Sequence, residues 1–254
     1  MRIAKYIFCI IVVGIAAYMM YPTQPQCTPL NREIAITIDD LPTGKADSEK
    51  IILALKKHQV PAFGFVIAGW LKGDGADNLK VFMDAGYPIG NHSYSHMRLR
   101  KVDVQLYLAD LEKADKILAP MMQGTKYYRY PYLSQSSGSR EQKVYEYLAA
   151  NHYVIAPITI DSRDFVFNLE LAKQKNPSAD WMSKFKQKYL DFVWNATRKT
   201  EQHQQCSGAK QILLLHAQPL NAYFLDDLLS MFESHGYRFI SFQEAMAGTP
   251  GVTQ

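Results

Sequence analysis

An α/β domain with a mainly parallel sheet is the fold class this sequence predicts, on three observations. Short apolar, strand-like runs alternate with helical patterns from Glu33 to Ser241, which is the order that strand-helix units produce. The composition, 48% hydrophobic and 20% charged, suits a globular chain and excludes disorder or a multi-span membrane protein. The 254 residues, less an apolar N-terminal segment, fit one large domain better than two small ones.

The elements follow in order. Glu33 to Ile38 reads as the first strand, and Ser48 to His58 as a helix with Ile51, Ile52 and Leu55 on its inner face. Ala62 to Ile67 is the next strand. Leu79 to Ala85 is helical and stops at Gly86, a C-cap, before a short strand from Tyr87 to Gly90. Val102 to Leu118 is an amphipathic helix ended by Pro120. Strands are expected at Tyr127 to Arg129, Val154 to Ile160, Gln211 to Leu215 and Arg238 to Ser241, with helices at Glu141 to Asn151 and Tyr223 to His235. Between Phe165 and Lys210 the pattern turns polar, with helix-like runs such as Trp181 to Thr197, and reads as an elaboration of the same domain.

The N-terminus has the charge asymmetry of an export signal. Arg2 and Lys5 precede the uncharged stretch Tyr6 to Met20, and the next basic residue is Arg32. A helix of that stretch spans ~22 Å against a hydrocarbon core of ~30 Å, which Lys5 lengthens by snorkelling. The small-residue pattern at Gly14-Ile15-Ala16 is weak as a cleavage site, which favours an uncleaved anchor over a removed peptide. The expected layout is a signal peptide or anchor over 1–21, a Pro-rich linker over 22–31 and a single folded domain over 32–248, placed outside the cytoplasmic membrane. Cys9 falls inside the apolar segment, leaving Cys27 and Cys206 as the one extracytoplasmic pair that a disulfide would join. The net charge of +4 is spread along the chain without a basic block, so no nucleic-acid partner is expected.

Two short strings carry the chemistry. Asp39 and Asp40 close the first strand in Thr37-Ile38-Asp39-Asp40-Leu41-Pro42, where two carboxylates can turn into one mouth and repel unless a cation lies close. Alone, such a pair is as well explained by turn initiation. His92-Ser93-Tyr94-Ser95-His96 is stronger: on a helix, imidazoles four apart share one face and can chelate one metal. With Asp40 they make a His-His-Asp set with a position left for water, the open coordination of a catalytic centre.

These residues resemble the polysaccharide deacetylases that share the NodB homology domain. Asp39-Asp40 is similar to the family's first motif, His92 to His96 to its second and Arg129-Tyr130-Pro131-Tyr132 to its third. Asp161-Ser162-Arg163-Asp164 is similar to the fourth and Leu214-Leu215-His216 to the fifth, all in the family's order. The resemblance implies a distorted (β/α) barrel with fewer strands than the eightfold form. It implies a divalent metal, zinc first and Co2+ or Ni2+ as alternatives, held by Asp40, His92 and His96, with Asp39 as the base acting on its water. Arg129 would keep Asp39 ionised, and the Tyr132 backbone N–H would stabilise the oxyanion. His216 would protonate the leaving group, oriented by Asp164. Phe165, Ala217 and Leu41-Pro42 depart from the family pattern, at the groove wall and loop rather than at the ligands.

The reaction so implied is hydrolysis of acetyl groups from carbohydrate, with N-acetylglucosamine units of a cell-wall or surface polysaccharide the leading substrate. An O-acetyl polysaccharide esterase and a small-molecule amide hydrolase are the alternatives on the same scaffold. A glycosidase pairing Asp39 or Asp40 with Asp164 would leave His92 and His96 unexplained. An inactive carbohydrate-binding descendant should have lost a ligand or the base, and every such residue type is present. The Met and aromatic residues of Trp181 to Trp194 read as core and helix packing, with Trp181 or Tyr223 as alternatives to line a sugar groove.

Overall fold

The computed structural model describes residues 32–203 and 210–247; the expected export segment, its linker and the Cys27–Cys206 pair lie outside them. Eight strands are present among the described residues: β1 (Glu33–Leu41), β2 (Phe63–Val66), β3 (Ile89–Asn91), β4 (Lys126–Tyr128), β5 (Tyr153–Ile155), β6 (Ile160–Asp161), β7 (Gln211–His216) and β8 (Arg238–Phe239). All pairings are parallel, in the order β5-β4-β3-β2-β1-β7-β6. Strand β8 pairs with Glu33 and Ile34 of β1, below the point where β2 joins at Thr37.

The single strand expected from Val154 to Ile160 is two strands, β5 and β6, at opposite ends of the sheet. Pro157 sits between them and has no N–H to give a ladder. Residues Ala156 to Thr159 therefore cross from one sheet edge to the other, with Ala156 N–H bonded to Tyr128 and Thr159 N–H to Ile212. The parallel sheet curls into a half-barrel whose two edge strands, β5 and β6, these four residues connect without a strand ladder between them.

Side-chain alternation along β1 divides the core. Ile34, Ile36 and Ile38 face the helices α1 (Lys45–Lys57) and α7 (Pro219–Ser234), packing with Ile51, Leu55, Leu225 and Leu229. Ala35 faces the interior with Phe63, Phe65, Ile212 and Phe242, the last from the terminal helix α8 (Phe242–Ala247). Thr37 and Asp39 share that inward face, so the same period that buries Ala35 delivers a carboxylate to the barrel mouth.

The remaining helices are α2 (Gly75–Asp84), α3 (Val104–Leu118), α4 (Gly138–Ala150), α5 (Asp164–Ala172) and α6 (Ala179–His203). Gly86 at φ +94 ends α2 as expected. Asp103 caps α3 through the Gln105 N–H at 2.8 Å. Helix α5 is not foreseen in the sequence. The long helix α6 buries Phe185, Tyr189, Leu190 and Val193 against the domain core, so the segment after Phe165 is part of this domain. Trp181 stacks on Phe185 at 4.6 Å and belongs to that packing.

Candidate active site

The candidate residues gather at the C-terminal ends of the strands, where loops in strand-helix barrels carry chemistry. Asp39 and Asp40 come from β1, His92 and His96 from the loop after β3, Arg129 from the end of β4, Asp164 from the segment after β6 and His216 from β7. One cavity of about 410 Å³ is lined by Asp39, Asp40, His92, His96, Tyr132 and His216, with Arg98, Asp161, Arg163 and Phe165 among the other walls.

A bulge explains how adjacent aspartates reach one cavity. Ile38 pairs with Gly64 and Leu41 with Val66, so β1 spends three residues where β2 spends two. Asp40 absorbs the extra residue at φ 62, turning its carboxylate toward the side that Asp39 already faces. Gly64 is required opposite: a Cβ there would lie 2.3 Å from Leu41 Cδ1 and 2.8 Å from Phe82 Cε1.

His92 and His96 do converge, but not on a helix. The loop from His92 to His96 has no helical turn, and Ser93 and His96 adopt φ of 70 and 55. Short polar contacts hold it in this left-handed form. Asn91 Oδ1 accepts from the Ser93 N–H at 2.7 Å, and Ser93 Oγ accepts from the His96 N–H at 3.0 Å. Asp110, reaching across from α3, accepts from the N–H groups of Tyr94 and Ser95 and from the Ser95 hydroxyl.

Asp40, His92 and His96 could hold a metal ion, each offering one donor atom within 4.8 Å of the others. His92 donates from Nδ1 to the Arg129 carbonyl at 2.8 Å, which turns its Nε2 toward Asp40. Asp40 Oδ1 lies 3.5 Å from His92 Nε2 and 3.3 Å from His96 Nε2, yet it is buried without a hydrogen-bond partner. Such an orphaned oxygen costs free energy unless something fills the gap, and two imidazoles with one carboxylate are the ligand set of an open metal site. Burial, and then the neighbouring His92, draw the His96 imidazole down to about 4 against the pull of Asp40 and Asp39, so its lone pair is available at neutral pH. These residues fit a divalent cation.

Beside this set, Asp39 is buried and paired. Arg129 Nη1 donates to Asp39 Oδ1 at 2.8 Å and to Thr37 Oγ1 at 2.7 Å, while Nη2 donates to the Pro157 carbonyl at 3.1 Å. The guanidinium carbon sits 4.1 Å from the Phe65 ring centroid. Burial lowers the Arg129 pKa and the Asp39 charge opposes that; an arginine remains protonated throughout the working range.

Across the cavity His216 and Asp164 form a second unit. His216 Nδ1 donates to Asp164 Oδ1 at 2.6 Å, and the His216 N–H donates to Asp164 Oδ2 at 2.7 Å. Asn221 on α7 donates to Asp164 Oδ2 at 2.6 Å and to the His216 carbonyl at 2.8 Å. Burial opposes charge on His216, but the charge and hydrogen bond of Asp164, with lesser help from Asp39 and Asp40, push its pKa up to about 9. The imidazole is therefore an acid at neutral pH.

Tyr132 adopts φ 57 in the turn after Pro131, with an exposed ring 4.5 Å from that of His96. Tyr223 is exposed but lines a different hollow. Residues missed in the sequence are the supports Thr37, Asn91, Asp110 and Asn221, and the wall residue Arg98. Asn91 is detectable as the Asn of Gly-Asn-His before the histidine string; the others carry no local signal.

Comparison with known proteins agrees with this geometry. A family model described as polysaccharide deacetylase matches residues 27–149. The chain is 32% identical over 145 residues to a chitin deacetylase of Arthroderma benhamiae, covering 55% of this chain and 37% of that protein. It is 29% identical over 143 residues to a peptidoglycan-N-acetylglucosamine deacetylase of Bacillus cereus, covering 54% and 48%. It thus spans less than half the length of these curated relatives. A carbohydrate esterase family 4 pseudoenzyme from Bacillus anthracis shares the fold with a TM-score of 0.63 at 20% identity, over 86% of this chain and 66% of that one. Residues 27–149, just under half of the chain, thus match the polysaccharide deacetylase family model, and these relatives and the shared fold agree with that likeness.

Proposed function

We propose that this protein hydrolyses acetyl groups from carbohydrate, foremost the N-acetyl groups of N-acetylglucosamine-containing cell-wall or surface polysaccharide, with zinc as the resident metal. The observation that carries this reading is the meeting in one cavity of three sets: Asp40 with His92 and His96, Asp39 with Arg129, and His216 with Asp164. A divalent cation on the first set would supply Lewis acidity toward an acetyl carbonyl and a water molecule.

The other roles belong to the chain's own side chains. Asp39, paired with Arg129, accepts the proton of the attacking water. Arg129 fixes that carboxylate from below and, being shared with Thr37 and the Pro157 carbonyl, cannot swing away. His216, protonated and oriented by Asp164, delivers a proton to the departing sugar nitrogen. The left-handed turn at Tyr132 is the assigned source of an oxyanion-stabilising N–H. Water, acetyl carbon and leaving nitrogen thus lie between a carboxylate base on one side and, on the other, an imidazole whose partner Asp164 keeps it protonated.

Kinship to a pseudoenzyme does not weaken this reading, because the base, the three donors and the acid are all present and brought together here. The reading extends to export, with residues 1–21 as signal or anchor before a catalytic domain from residue 32; accessibility of the domain to protease in intact cells tests it. The activity is tested by measuring acetate release from a panel of N- and O-acetylated glycans before chelation, after it and after zinc is restored. Release from none of them, or release indifferent to the chelator, sinks the proposal.

A further inference from the structure

Two walls of the cavity end in an arginine placed over an aromatic ring. On the side of the metal-ligand set, the Arg98 guanidinium carbon lies 4.3 Å from the centroid of the exposed Tyr132 ring, which in turn touches His96. On the side of His216, Arg163 lies 5.2 Å from the centroid of the exposed Phe165 ring, which touches His216 at 5.9 Å. Both arginines line the cavity and both are exposed.

Exposed arginines are ordinarily solvated and uninformative. These two are set apart by position, each over an aromatic ring on the cavity wall. Arg32, Arg129, Arg140 and Arg238 each donate to a protein acceptor. The guanidinium groups of Arg98 and Arg163 have no ion pair or hydrogen bond among the described residues. A guanidinium held over a ring by cation–π attraction, with its N–H groups otherwise unpaired, is available to receive a carboxylate or phosphate. The lining's own carboxylates are otherwise engaged or placed. Asp39 is paired with Arg129, Asp40 faces the two imidazoles, and Asp161 accepts the Arg163 backbone N–H at 2.9 Å. That last bond also anchors Arg163 in its left-handed conformation, φ 51, at the start of α5.

We infer that this cavity recognises a glycan carrying anionic groups, carboxylate or phosphate, on the sugars to either side of the acetylated one, with Arg98 and Arg163 as the specificity-determining contacts. The inference rests on the deacetylase reading for the position of the acetylated sugar. A chain lying across the site meets one guanidinium before the metal-ligand set and the other beyond His216, so a doubly flanked anion is served on both sides.

Equilibrium binding to the zinc-loaded full chain carrying Asp39→Asn tests this without turnover. The probes are an N-acetylglucosamine tetramer, the same tetramer with flanking C6 positions oxidised to carboxylate, and one phosphorylated there. The expected result is roughly tenfold tighter binding of at least one anionic tetramer at low salt, a gap that narrows as salt rises. Arg98→Gln and Arg163→Gln should each shrink the anionic-to-neutral ratio by roughly threefold, and which anion benefits identifies the substituent. Equal affinity for neutral and anionic tetramers overturns the inference, as does a Gln substitution that weakens both kinds of ligand alike. Acetate release by the unaltered enzyme is scored separately. Release without anion preference removes the inference and spares the activity, whereas arginine-dependent preference without release from any tetramer supports the recognition and removes the activity.

Discussion

Arg129 and Asp39 form an ion pair sealed inside the barrel, Nη1 to Oδ1 2.8 Å, with side-chain exposures of 0% and 2%. The pair has a third member in Thr37, two residues back on the same face of β1, whose hydroxyl accepts from the same Nη1 and donates to the Leu213 carbonyl. Replacing Arg129 with Met should strand the Asp39 carboxylate in a low-dielectric interior and cost about 3–5 kcal/mol of folding stability. Arg129→Lys should recover little of it, since one ammonium cannot reach Asp39, Thr37 and Pro157 together while lying on Phe65. Urea unfolding measures both, and a loss below about 1 kcal/mol for the Met variant would show that the interior is better solvated than its burial indicates.

The two neighbouring aspartates should fail differently. Asp39→Asn keeps the three candidate donors and removes the base, so metal content should persist while turnover falls by about 10²- to 10⁴-fold. Asp40→Asn removes the donor whose Oδ1 is buried without a partner, so bound metal and turnover should disappear together. Metal analysis by mass spectrometry beside acetate release separates the cases. Equal metal loss in both variants would dissolve the division of labour between them.

Titration of His216 gives a pH test with a definite sign. Its folded value is raised, from 6.5 to about 9. The stabilisation from its contact with Asp164 is therefore fully present below about pH 6.5 and is lost as pH climbs through about 9. The same limb should appear in the rate, because the acid form disappears there. A cation beside Asp40 cancels part of that residue's attraction for the imidazolium, so the metal-loaded enzyme should lose its acid at lower pH than the metal-free protein. Asp164→Asn removes the largest charge that opposes burial, leaving only the lesser pull of Asp39 and Asp40, and should move the His216 titration well down from about 9, readable by NMR of the labelled ring. An unchanged alkaline limb in that variant would assign the limb to another group.

The sequence carried the site residues farther than the local structure around them. Alternation along β1 and the ordered strings at Asp39, His92, Arg129, Asp164 and His216 were legible because each is a short-range pattern, and the fold brings all of these residues to one end of the barrel. The convergence of His92 and His96 does not come from a helical face. Spacing of four is consistent with a helical face, but Ser93 and His96 take positive φ, a choice made by Asn91 and by Asp110 from another element. The break between β5 and β6 was hidden because Val154 to Ile160 is apolar on both sides of Pro157, and only the opposed sheet edges reveal that the segment crosses a gap. Helix α5 was missed because its start is set by Arg163 in a left-handed conformation, while its apolar run has no clean helical period.

Asp110 shows how such a distant support can be tested. It lies on α3, buried at 8% exposure, and touches neither the candidate metal donors nor the cavity wall. Its carboxylate takes the N–H groups of Tyr94 and Ser95 at 2.9 and 3.2 Å, and with the Ser95 hydroxyl it fixes the middle of the loop that sets the spacing of His92 and His96. Removing it leaves two backbone donors unpaired in a part-buried place and frees a strained loop to relax toward commoner φ values. His92 should stay put, because its Nδ1 is tied to the Arg129 carbonyl, whereas His96 should wander. The expected outcome for Asp110→Ala is a metal affinity lower by about 10- to 100-fold, the range seen when support behind a ligand is lost. Turnover at saturating zinc should recover most of its value, since Asp39 and His216 are untouched. Competition with a chromogenic chelator measures the first and acetate release across a zinc series the second. If affinity holds while saturating turnover collapses, the loop positions substrate rather than metal, and Asp110 acts on the carbohydrate side of the site.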